Sequence, residues 1–64
     1  MLKPIKTFYV HGSPTPTEFE EARDTAKQEN CVVELRWMPD ILTGWWHDYI
    51  FEDRSLEEWL AKKY

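Results

Sequence analysis

Cys31 is the only cysteine in a chain of 64 residues. No internal disulfide can form. One Cys and two His also make no zinc-ligand pattern. Chains this short bury only about 60% of the surface that the unfolded chain exposes. They commonly rely on a disulfide, a metal or a partner. With neither of the first two written in the sequence, this chain must build its core from apolar side chains or share it with a partner. Cys31 itself reads as a small buried hydrophobe at the start of a strand. Four Trp, three Tyr and three Phe raise the aromatic share to 16%. That is more aromatic surface than so small a domain easily buries.

Twelve acids against eight bases leave a net charge of −4. This balance argues against binding along a nucleic-acid backbone, which calls for a basic stripe. No apolar run approaches the ~20 residues that span a bilayer. Residues 1–6 lack the apolar core of a signal peptide. The expectation is a soluble cytoplasmic protein, a single α/β domain over residues 1–64, with no membrane contact and no cofactor.

Residues 5–11 combine β-branched and aromatic side chains and predict a first strand. Pro4 marks its start, and Gly12, Ser13 and Pro14 its end. Thr15 then offers an N-cap, Pro16 fits the first helical position, and Glu18 completes a capping box. This helix should run to residue 29 or 30, with Asn30 as its C-terminal cap. Its apolar stripe is narrow: Phe19, Ala22 and Ala26. Residues 31–38 predict a second strand, with Val33, Leu35 and Trp37 on one face. Val32, Glu34, Arg36 and Met38 lie on the other. Residues 45–51, the most aromatic stretch, predict a third strand. Ser55 and Glu58 form a second capping box. The last helix should pack through Leu56, Trp59 and Leu60, extended by Tyr64, with Lys62 and Lys63 in its final turn.

The element order is thus β-α-β-β-α. The second and third strands should form a hairpin, and the first crossover should be right-handed. Placing the most apolar strand in the middle gives the expected strand order 1-3-2. Both helices would lie on one face, making a two-layer α+β sandwich with the other sheet face uncovered. On the third strand an inward Asp48 would be costly without a partner. Trp46, Asp48 and Ile50 are therefore expected to point outward.

Candidate sites follow from what this arrangement leaves exposed. The loop of residues 38–44 is unusually apolar, carrying Met38, Ile41 and Leu42. With Trp45 and Trp46 beside it, it suggests a protein-interaction patch. Asp48, Arg36 and Glu34 would supply the polar rim. Between the first strand and the first helix, Gly12, Ser13, Thr15 and Thr17 could hold an anion at a helix N-terminus. The two prolines there remove donors and favour a purely structural turn. His11, His47 and Asp48 are the one set with acid–base or metal-binding chemistry. No Ser/His/Asp order, paired-carboxylate signature or HExxH motif supports catalysis.

The expectation is a small non-enzymatic interaction module. Its partner would be a protein, or a second copy of the chain that buries the surplus aromatics. Two other readings stay open. The acidic runs 18–24 and 52–58 could mimic a nucleic-acid backbone and block a basic cleft. Such an inhibitor suits an accessory gene of a phage or mobile element. Alternatively, the aromatic sheet face could bind a small molecule or nucleotide.

Overall fold

The computed structural model describes residues 2–61. Strand β1 (Ile5–Val10) leads into helix α1 (Pro16–Glu29), followed by strands β2 (Val32–Trp37) and β3 (Trp46–Ile50) and helix α2 (Leu56–Ala61). The protein is α+β, with one three-stranded mixed sheet and two helices.

The capping signals in the sequence are the ones the structure uses. Thr15 is the N-cap of α1, and its N–H donates to the Glu18 carboxylate at 3.3 Å. Asn30 ends the helix in the left-handed conformation, φ 51° and ψ 52°, and its N–H donates to the Ala26 carbonyl. Asn tolerates this region better than other non-glycine residues. At α2 the Glu58 N–H donates to Ser55 Oγ at 3.4 Å. The expected contributions of Lys62, Lys63 and Tyr64 lie outside the described residues.

The strand order is β1-β2-β3, not 1-3-2. β1 and β2 pair in parallel, and β2 and β3 pair antiparallel as the hairpin required. The observed order uses the simpler connection. Only Asn30 and Cys31 separate α1 from β2. Inserting β3 between β1 and β2 would demand a crossover spanning two strand spacings, about 9.5 Å. The direct crossover returns beside its own strand, the usual outcome for consecutive strands. β2 suits the centre because Val33, Leu35 and Trp37 are fully buried on its core face, while Glu34 and Arg36 are half-covered on the other.

The core comprises Phe19, Ala22 and Ala26 of α1, Val33, Leu35 and Trp37 of β2, Ile50 of β3, Trp59 of α2, and Cys31. Phe8, Val10, Trp46 and Leu56 pack around it. The Phe19 and Trp59 rings stack with centroids 5.0 Å apart, which joins the two helices. α1 packs chiefly over β2 and β3 and reaches β1 through the Lys6–Glu29 ion pair. Leu60, expected on the packed side of α2, is exposed. Leu56 and Trp59 make the contact of α2 with the core instead.

The orientation of β3 reverses the expectation. Ile50 and Asp48 are buried and Trp46 is half-buried, so all three turn toward the core, while His47 and Tyr49 are exposed. The reason is Arg54, on the segment between β3 and α2. Its Nη1 lies 2.9 Å from Asp48 Oδ1. An inward carboxylate is tolerable once a guanidinium meets it. Turning β3 this way buries Ile50 fully and sets Trp46 edge-on against Trp37, with centroids 6.3 Å apart.

Candidate functional site

The side of the sheet away from the core carries Thr7 and Tyr9 from β1, Glu34 and Arg36 from β2, and His47 and Tyr49 from β3. Register aligns them in rows: Thr7 with Glu34 and Tyr49, and Tyr9 with Arg36 and His47. A polar cluster occupies the middle. Thr7 Oγ1 donates to Glu34 Oε1 at 3.0 Å. His47 Nδ1 lies 3.1 Å from Glu34 Oε2, and Arg36 Nε 3.7 Å from the same oxygen. Partial burial pushes the Glu34 carboxyl up. The hydrogen bonds from His47 and Thr7, with the Arg36 charge, outweigh this and hold it below its ordinary value. Charged partners and donated hydrogen bonds both favour the ionised form.

Apolar surface lies on either side of this cluster. At one end Tyr9 and Trp45 meet edge-to-face, centroids 5.8 Å apart. With Val10 and His11 they line a depression of about 220 Å3. At the other end Leu2, Lys3, Ile5, Val32, Tyr49 and Phe51 line a depression of about 410 Å3.

Beyond Trp45, the loop joining β2 to β3 is pinned by Asp40. Its Oδ1 accepts from the Leu42 N–H at 3.0 Å, and its carbonyl accepts from the Thr43 N–H at 3.1 Å and from Thr43 Oγ1 at 2.9 Å. This is an Asx-stabilised turn, with Ile41 and Leu42 at its two central positions. Central turn residues project away from the chain they join. Ile41 is accordingly 84% exposed and Leu42 90%. Gly44 closes the loop at φ 76°, where an L side chain would be strained.

The structure thus splits the residues singled out from sequence. Ile41, Leu42 and Trp45 are exposed at one end of the molecule, and Met38 beside them is half-buried. Trp46 packs against the core, and Asp48 is paired with Arg54 beneath the sheet. Asp48 is therefore no part of a polar rim. Glu34 and Arg36 do lie on the open face. At the β1–α1 turn Gly12, Ser13, Thr15 and Thr17 are all exposed. The Glu18 carboxylate already takes the Thr15 N–H and contacts its hydroxyl, so the helix N-terminus holds an anion of its own. His47 and Asp48 point to opposite sides of β3. Among the described residues no group of three or more His, Cys, Asp or Glu could hold a metal ion.

Tyr9 belongs to this exposed end although no sequence motif singles it out. Strand alternation opposes it to Phe8 and Val10, but its meeting with Trp45, far away in sequence, is a tertiary contact that no local pattern encodes. No helix among the described residues is long and apolar enough to cross a membrane. No family model, curated protein or solved structure matches the chain.

Proposed function

We propose that the protein is a non-enzymatic binding module that engages a protein partner through Ile41, Leu42, Trp45 and Tyr9, with Met38 at the margin. The observation that carries this reading is the pinned turn. Two large aliphatic side chains stand almost fully exposed on a loop whose backbone is held by Asp40. A preordered apolar projection loses little conformational entropy on binding. Trp45, 56% exposed beside Tyr9, adds the kind of aromatic pair that forms binding hot spots.

The test is a double substitution, Ile41→Ser with Trp45→Ala, in the full chain. Trp46 is unsuitable for it, because Trp46 packs on Trp37. The folded state should survive within about 1 kcal/mol, since neither side chain is buried. Retention of a partner protein on the immobilised chain should fall at least about tenfold. Undiminished retention would sink the reading. Added salt separates this mode from acidic mimicry of a nucleic acid: an apolar contact persists, whereas charge-driven binding weakens.

A further inference from the structure

A three-stranded sheet has two edges, and the chain treats them differently. The Val32 N–H donates to the Pro4 carbonyl at 2.9 Å. That bond sets the phase of the β1–β2 ladder. Pro4, Lys6, Phe8 and Val10 direct their backbone groups to β2, so those of Ile5, Thr7 and Tyr9 face away. By the same alternation, His47, Tyr49 and Phe51 direct theirs away from β2 at the β3 edge.

The β3 edge is largely closed by the chain itself. The Tyr49 N–H donates to Asp48 Oδ1 at 3.0 Å, and the Tyr49 carbonyl accepts from Arg54 Nη1 at 2.6 Å. The Phe51 carbonyl accepts from the Arg54 N–H at 3.1 Å. At the β1 edge, no hydrogen bond among the described residues reaches the outward groups of Ile5, Thr7 or Tyr9. Open edges of this kind template further strands. β1 is also the least covered strand: its Phe8 and Val10 are only half-buried.

We infer that a second copy of this chain adds to the free edge of β1, antiparallel, to form a continuous six-stranded sheet about a twofold axis at Thr7. The sequence of β1 suits itself in that register. Thr7 faces the partner's Thr7, and Ile5 faces the partner's Tyr9. Thr–Thr and β-branched–aromatic pairs are both favourable across strands. Lys6 falls opposite the partner's Phe8, so no like charges oppose each other. Ile5, Thr7 and Tyr9 all present N–H and C=O outward, which supplies six hydrogen bonds across the axis.

Charge favours an identical strand over an acidic peptide. Lys6 is already held by Glu29 at 3.0 Å, and Lys3 lies 3.9 Å from Glu52. Residues 1–17 contain no acid at all, so two chains of net charge −4 meet at an edge that is close to neutral. One strand pair buries less than the ~1,200 Å2 of a stable interface. The dimer is therefore weak and forms at high concentration. This surface adjoins the Ile41–Trp45 end but does not depend on it.

Amide hydrogen exchange on the full chain, followed by NMR at about 10 μM and about 1 mM, tests the inference residue by residue. The Ile5, Thr7 and Tyr9 amides should slow at least about tenfold at the higher concentration. Those of Lys6, Phe8 and Val10, bonded to β2, should be protected at both. Thr7→Pro removes one outward N–H and the Thr7 Oγ1–Glu34 bond but no backbone bond of the β1–β2 ladder, and should abolish the concentration dependence, which Thr7→Val, lacking only the hydroxyl, should keep. A chain that stays monomeric at 1 mM overturns the inference while leaving the partner-binding reading intact. A dimer with unprotected Ile5, Thr7 and Tyr9 amides, lost instead on Ile41→Ser with Trp45→Ala, also overturns it and assigns self-association to the loop.

Discussion

Asp48 and Arg54 are the pair on which the orientation of β3 turns. Both side chains are mostly buried, and Arg54 serves two acceptors at once, Asp48 Oδ1 and the Tyr49 carbonyl. Removing the guanidinium takes the charged partner from a buried carboxylate, at a cost of about 3–5 kcal/mol. A domain of this size rarely has more than about that in reserve. Arg54→Ala should therefore leave the chain largely unfolded in water, as read by tryptophan fluorescence across a urea series. Glu34 is the second residue with a measurable signature. Its folded-state carboxyl is held below the ordinary value of 4.5. The unfolded state thus binds the proton more readily, and Glu34 contributes stability above pH 4.5 that is lost as pH falls through its lower folded value. Glu34→Gln should flatten that part of the acid limb in urea midpoints measured across the range. An unchanged slope would show that other carboxylates carry it.

At the scale of elements, α1 is written most plainly in the sequence. Thr15, Pro16, Glu18 and Asn30 define its ends, and Phe19, Ala22 and Ala26 define its buried stripe. Thr15→Ala should cost about 1 kcal/mol. Asn30→Gly should be neutral to slightly stabilising, because glycine adopts the left-handed conformation freely; both are read from denaturant midpoints. The hairpin was equally legible, since two alternating runs joined by one loop have few other ways to pair. Strand order was not. Alternation and composition rank strands by apolarity, but they do not encode beside which strand the crossover returns.

Across the whole molecule, surplus aromatic surface is distributed rather than buried. Trp37 and Trp59 sit in the core, Trp46 packs at its margin, and Trp45 stands outside with Tyr9. Substitutions should sort accordingly. Trp59→Ala removes a buried ring stacked on Phe19 and should cost about 3–5 kcal/mol. Ile41→Ser with Leu42→Ser should change stability by no more than about 0.5 kcal/mol per site, or even less if the Asp40 turn is undisturbed. A large loss from the loop pair would mean that it supports the fold rather than a contact.

The five elements, their caps and the alternating faces of each strand are legible along the chain, because these depend on residues a few positions apart. The sequence also marked the loop carrying Ile41 and Leu42 as too apolar for an ordinary connection. Which face of β3 turns inward was beyond it. Alternation is symmetric under exchange of faces, and the cost of burying Asp48 could not be settled without knowing that Arg54 reaches it. The meeting of Thr7 with Glu34 likewise awaited the β1-β2-β3 order, that of His47 with Glu34 the facing of the hairpin, and that of Tyr9 with Trp45 the path of the loop before β3. Those contacts join different segments of the chain, and only tertiary packing sets which segments are neighbours.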